Sequence, residues 1–114
     1  MTWDYELDVL ITALRNAGGE ALRFAVDGFE TIQKPDQSPV TSADLAVNEV
    51  LLSHLTSAFP EDGWLSEESP DRLDRLQKRR VWVVDPIDGT KAFISGEPEY
   101  CISIGLIEQG RPIV

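Results

Sequence analysis

The stretch at residues 81–94, VWVVDPIDGTKAFI, leaves few options for the chain around it. It opens with a β-branched apolar run: Val81, Val83 and Val84 suit a buried strand, and Pro86 and Gly89 break the ladder behind them. Asp85 and Asp88 are therefore expected on a turn beyond the strand's end. Two carboxylates held close repel each other unless a cation or a proton joins them, so the spacing asks for a hard metal ion such as Mg²⁺. The same residues also suit a solvated Asp-Pro turn, because Asp, Pro and Gly favour turns for backbone reasons alone. On this stretch by itself both readings stay open.

Length and charge narrow the choice. At 114 residues the chain is one domain, large enough for a modest core but small for an enclosed substrate cleft. The formal charge of -10 argues against a nucleic-acid polymer or an anionic membrane as partner. An anionic small substrate is compatible with that acidity if divalent cations turn a carboxylate cluster into a phosphate-attracting site. Cys101 is the only cysteine, which excludes an internal disulfide and a Cys-rich zinc site, and it suggests a reducing compartment. His54 is the only histidine and falls in a helical stretch, far from any nucleophile motif. The acidic start at Asp4, Glu6 and Asp8 is unlike a secretory signal, and no run is long enough to span a membrane, so a cytoplasmic setting is expected.

Residues 3–26 carry Leu7, Leu10, Ile11, Leu14, Ala17, Ala21, Leu22 and Ala25 at helical spacing, with Gly18 and Gly19 either weakening the helix or admitting a close neighbour. A short strand and a Pro-broken loop with Lys34 follow over residues 29–40. Thr41-Ser42-Ala43-Asp44 reads as a capped start to a second helix that ends at Pro60, and a cap alone accounts for Asp44. Gly63-Trp64-Leu65-Ser66 forms a short strand that delivers Glu67 and Glu68, a second strand ending in paired acids. Residues 69–80 read as a charged loop with a short helix near Leu73 and Leu76. Ile102, Ile104 and Leu106 alternate along a later strand, and Arg111-Pro112-Ile113-Val114 begins a returning one. Walker A, dinucleotide and EF-hand patterns are absent from the sequence.

Taken together, Trp64-Leu65-Ser66-Glu67-Glu68-Ser69, Asp85-Pro86-Ile87-Asp88-Gly89-Thr90 and Pro39-Val40-Thr41-Ser42-Ala43-Asp44 resemble, in order and spacing, the inositol monophosphatase family of Mg²⁺-dependent, lithium-sensitive phosphatases. The resemblance implies an α+β fold: the N-terminal metal- and phosphate-binding domain, residues 1–114, with paired helices packed on an antiparallel sheet and the C-terminal domain absent. It implies that Glu67 and Asp85 bind one metal with the main-chain carbonyl of Ile87, that Asp85 and Asp88 address a second, and that a complete site holds two or three Mg²⁺ ions. Glu68 would support them. Asp44 and Thr90, with Glu67, would form the catalytic group and handle the attacking water. Gly89 and Thr90 would present backbone N–H groups to a phosphate at the start of a short helix. Lys34 would lie in a mobile loop beside the substrate.

The implied reaction is hydrolysis of a phosphate monoester by an in-line, metal-activated water. Inositol phosphate and 3'(2'),5'-bisphosphate nucleotides are the leading substrates. The stretches at residues 34–41 and 88–94 look more like bacterial bisphosphate nucleotidases, or the related histidinol-phosphate phosphatases, than animal inositol enzymes. The family's second half, with the Trp-Asp motif that completes the second metal site, has no counterpart here. The resemblance therefore implies a truncated unit with impaired activity, with a homodimer as one arrangement of its exposed sheet edges. A non-catalytic metal- or phosphate-binding remnant is the alternative.

Overall fold

The computed structural model describes residues 2–114. Its longest element, α1 (Asp4–Asp27), buries Leu10, Ala13, Ala17 and Ala21, a stripe recurring every three to four residues. Small side chains along that stripe let α1 lie close against α2 (Ser42–Ala58), whose Val47, Leu51 and Leu55 are wholly buried. The stripe is narrower than the periodicity suggests. Leu7, Ile11 and Leu22 stay exposed because only one face of α1 meets α2 and the sheet. Gly18 and Gly19 face open space, so no close neighbour explains them.

Between the helices, β1 (Thr31–Gln33) and β2 (Pro39–Thr41) form a small antiparallel hairpin with Ile32 opposite Val40. The main sheet has the order β3 (Gly63–Ser66), β4 (Arg80–Asp88), β5 (Cys101–Glu108), β6 (Arg111–Pro112). A 3-10 helix, Leu73–Gln77, fills the connection from β3 to β4, and α3 (Thr90–Ile94) follows β4. The resemblance implies an antiparallel sheet, and the sheet is instead mixed: β4, β5 and β6 alternate in direction, but β3 runs parallel to β4 with Trp64 beside Trp82 and Ser66 beside Val84. The crossover through the charged 67–79 segment is long enough to return the chain to the same end of the sheet, which a hairpin could not do.

One face of the sheet carries the helix pair. Ala13, Ala17, Ala21, Val47, Leu51 and Val84 form one buried cluster, and Leu10, Leu55, Phe59, Trp82 and Leu106 a second. Leu51, Leu55 and Leu106, each 0% exposed, contribute roughly 1.5–3 kcal/mol apiece through burial. A third cluster of Ala43, Ile87 and Phe93 ties the start of α2 to the end of β4 and to α3. Among the described residues, no helix is long and apolar enough to cross a membrane.

Candidate functional site

The end of β4 departs from the expected turn. Asp85 pairs with Ser103 and Asp88 with Cys101, so two residues of β4, Pro86 and Ile87, lie opposite the single residue Ile102. That is a β-bulge, and Asp85 and Asp88 belong to the strand on either side of it. Pro86 does not end the ladder, because a bulge is one of the few strand positions that needs no N–H donor. Ile87 is 3% exposed and packs on Ala43 and Phe93, which holds its carbonyl where Thr90 Oγ1 donates to it at 3.1 Å.

The parallel pairing of β3 explains why a second acidic pair arrives at the same place. With Ser66 beside Val84, the residues that follow each strand emerge at one end of the sheet, so Glu67 and Glu68 come out level with the β4 bulge. A third acid reaches this end from α2. Thr41 is the N-cap of α2: its hydroxyl accepts from the N–H groups of Ala43 and Asp44, while Asp44 Oδ2 accepts from the Thr41 N–H at 2.8 Å and the Thr41 hydroxyl at 2.6 Å. The other oxygen of Asp44 accepts from Thr90 Oγ1 at 3.0 Å. The cap and the contact with Thr90 are thus simultaneous, one for each carboxylate oxygen.

Gly89 sits between the bulge and α3 with φ of 93°, a left-handed conformation that L side chains resist. A Cβ there would lie 2.6 Å from the carbonyl oxygen of Glu99, so the chain needs glycine at this position for its own packing. Lys34, from the loop between β1 and β2, places Nζ 2.8 Å from Glu68 Oε1. The pair raises the Lys34 pKa, first through that hydrogen bond, with Glu67 and Asp36 adding to it.

Charge at this end of the sheet is unbalanced. Burial pushes the Asp85 carboxyl up to about 6, and the negative charges of Glu67, Asp88, Asp44 and Glu68 add to the effect. Among the described residues the cation bonded at this end is Lys34, and its bond goes to Glu68 and not to Asp85. The donor set is all oxygen, from carboxylates and the Ile87 carbonyl, which suits a hard cation such as Mg²⁺ rather than zinc. Among the described residues, no three acidic, histidine or cysteine side chains are drawn tightly enough together to enclose an ion by themselves. Mg²⁺ keeps several waters and takes one or two carboxylates, so a loosely gathered oxygen set still fits it.

Asp44, Thr90, Gly89 and Ile87 are thus in direct contact or adjacent, Asp85 feels Glu67, Glu68 and Asp88, and Lys34 is joined to Glu68. Sequence reasoning passed over the residues that brace the Glu67-Glu68 segment. Asn48, 2% exposed, bonds both Ser66 and Ser69 from inside the apolar face of α2. Its signal in the sequence is a lone amide four residues after Asp44, on the same helix face.

A family model described as the inositol monophosphatase family matches residues 3–114. The chain is 42% identical over 112 residues to the 3'(2'),5'-bisphosphate nucleotidase CysQ of Salmonella typhimurium, covering 95% of this chain and 45% of that protein. Among solved structures, the extragenic suppressor protein SuhB of Bartonella henselae superposes with a TM-score of 0.88 at 28% identity, covering 96% of this chain and 43% of that one. A staphylococcal inositol monophosphatase-1 soaked in lithium chloride shares the fold, with a TM-score of 0.88 at 23% identity over 99% of this chain and 43% of that one. The chain therefore spans less than half the length of these relatives. With its model matched from residue 3 to residue 114, the chain belongs to the inositol monophosphatase family.

Proposed function

We propose that this chain carries the metal- and phosphate-binding part of a Mg²⁺-dependent phosphate monoesterase whose substrate is a 3'(2'),5'-bisphosphate nucleotide, with inositol phosphate and histidinol phosphate as competing substrates. The observation that carries the reading is the acidic set around the β4 bulge, where Asp85 is crowded by Glu67, Asp88, Asp44 and Glu68 and the single lysine bonded there pairs with Glu68. The nucleotide preference rests on the 42% identity to the bisphosphate nucleotidase.

In this reading Glu67, Asp85 and the Ile87 carbonyl would hold one ion, and Asp85 and Asp88 would address a second. Bound cations supply the Lewis acidity that lowers the pKa of the attacking water and offsets charge on the leaving alkoxide. Thr90 orients that water. Its hydroxyl proton is directed to Asp44 Oδ1 and the Ile87 carbonyl, so the lone pairs of Oγ1 remain to accept from a water. Asp44 fixes the hydroxyl and is itself fixed by the cap at Thr41. Gly89 and Thr90 offer backbone N–H groups to the phosphate. Lys34, tied to Glu68, balances the acids and adds positive charge beside the substrate.

The test is phosphate release from adenosine 3',5'-bisphosphate, inositol phosphate and histidinol phosphate, with and without Mg²⁺, by this chain and by a longer form that restores the length of its relatives. Mg²⁺-dependent release fastest on the bisphosphate is expected from the longer form. Release that ignores Mg²⁺ counts against the metal assignment. The open spacing of the acids favours a second reading, a module that binds metal without turnover. Mg²⁺ binding with no release from either form would select it.

A further inference from the structure

The amide of Asn48 is a buried polar group outside the acidic set. It lies in the middle of α2, buried between the apolar Val47 and Leu51. An uncompensated amide there would cost about 1–3 kcal/mol. Instead both ends are used. Asn48 Oδ1 accepts from Ser66 Oγ at 2.6 Å, and Nδ2 donates to Ser69 Oγ at 2.8 Å. Ser66 Oγ in turn accepts from the Glu68 N–H at 3.2 Å, and Ser69 Oγ accepts from Trp64 Nε1 at 3.1 Å. One amide thereby grips the chain on both sides of Glu67 and Glu68.

The spacing along α2 gives the grip its meaning. Asp44 and Asn48 are four residues apart, one helical turn, so they share a face. Asp44 holds Thr90 at the end of β4, and Asn48 holds the segment at the end of β3. A single rigid helix therefore spans both acid-bearing segments. We infer that Asn48 is a positioning residue: it fixes the backbone that carries Glu67 and Glu68 relative to Asp44 and the β4 bulge, and thereby sets the separation of the carboxylates. The inference deepens the metal-site reading above and rests on it for the use of that separation. Groups that hydrogen-bond a metal ligand directly are commonly worth about 10–100-fold in metal affinity, and Asn48, which acts through Ser66 and Ser69, is expected at or below the lower end of that range.

Two readouts separate this inference from the reading beneath it. The first needs no metal: hydrogen exchange at the Glu68 amide in Asn48→Leu, a substitution that keeps side-chain bulk but removes both hydrogen bonds. Exchange about 10-fold faster at residues 66–69, with the α1 amides unchanged, is the expected result. Unchanged exchange at Glu68 overturns the inference. Should Asn48→Leu fail to fold, Asn48→Ala removes the same two links, leaves the Ser66 acceptor of the Glu68 N–H in place and is read in the same way. The second readout is Mg²⁺ affinity by calorimetry in Asn48→Leu, Glu67→Gln and the double variant. If Asn48 acts through Glu67, the double variant binds no more weakly than Glu67→Gln alone, whereas additive losses overturn the inference. Faster exchange in a chain whose wild type binds no Mg²⁺ supports the positioning and refutes the metal site. Mg²⁺ binding by the wild type with unchanged exchange in the variant does the reverse.

Discussion

The two ends of β4 both gather acids, and they handle them in opposite ways. At the start of the strand, Arg80 is 7% exposed and its guanidinium bonds Asp62 twice, at 2.8 and 3.0 Å, and Glu6 at 2.8 Å. Trp82 Nε1 adds a bond to Asp62 at 3.0 Å, and Phe59 lies under the guanidinium with its ring centroid 5.3 Å away. The chain supplies its own cation there, and the Arg80 hydrogen bond lowers the Glu6 pKa. At the far end the acids outnumber the positive groups, Lys34 being committed to Glu68, and the Asp85 pKa rises instead. The opposite shifts separate an ion pair completed within the chain from a set of acids whose mutual repulsion is only partly relieved.

Removing the internal cation should produce the largest effect. Arg80→Leu leaves Asp62 and Glu6 facing each other with no counter-charge in a largely buried setting, and breaking a buried pair from one side costs about 3–5 kcal/mol. Urea unfolding of the variant is expected to show a loss of that size. A loss below about 1 kcal/mol, the range of exposed pairs, would mean that water reaches the network and that the two ends differ less than their geometry says.

The matching change at the other end should have the opposite sign. Asp85→Asn removes one charge from a repelling set, so the metal-free chain should gain stability at neutral pH, on the order of 1 kcal/mol once solvent screening of this half-buried group is allowed for. The pH dependence follows from the direction of the shift. The folded carboxyl titrates near 6 against an ordinary 3.8, so the folded chain retains a proton that the unfolded chain has released. Its stabilising contribution is complete below the lower value and is lost as the pH rises through 6. Metal-free wild type should therefore lose stability relative to Asp85→Asn over that interval. Mg²⁺ should restore it most at the upper end, and only in the wild type. Thermal unfolding across the pH series checks this, and parallel curves for the two proteins would remove the electrostatic argument for a cation site.

Much of this contrast was beyond the reach of the sequence for a physical reason. The helices, β5 and the acidic character of residues 85–88 are written in local periodicity and composition, so they could be read directly. The capping box at Thr41 and Asp44 is also local. The bulge is not: whether Pro86 ends a strand or sits inside one depends on Ile102 of β5 standing opposite it. The parallel direction of β3, which brings Glu67 and Glu68 to the β4 bulge, depends on where a long charged crossover returns. The Arg80 network joins residues 74 positions apart, and nothing in the pattern around Arg80 points to Glu6. Asn48 went unread for a similar reason, since its two serine partners lie on another element.

Lys34 offers the smallest and most discriminating change, because among the described residues it is the one cation bonded within the acidic end. Its ammonium stem is partly exposed while the Glu68 side chain it meets is 6% exposed, a geometry intermediate between a surface pair and a buried one. Lys34→Met keeps the stem and deletes the charge, and the expected loss at neutral pH is about 0.5–1 kcal/mol. The raised Lys34 pKa means that the wild-type contribution persists through neutral pH and is lost only as the pH rises through its own, higher titration, so the loss should be flat across the interval where Asp85 titrates. Added Mg²⁺ should shrink it, since an ion among Glu67, Glu68 and Asp85 replaces the missing positive charge. A deficit that Mg²⁺ leaves untouched in calorimetric unfolding would show that Lys34 and the cation serve separate acids, and would take Glu68 out of the metal's surroundings.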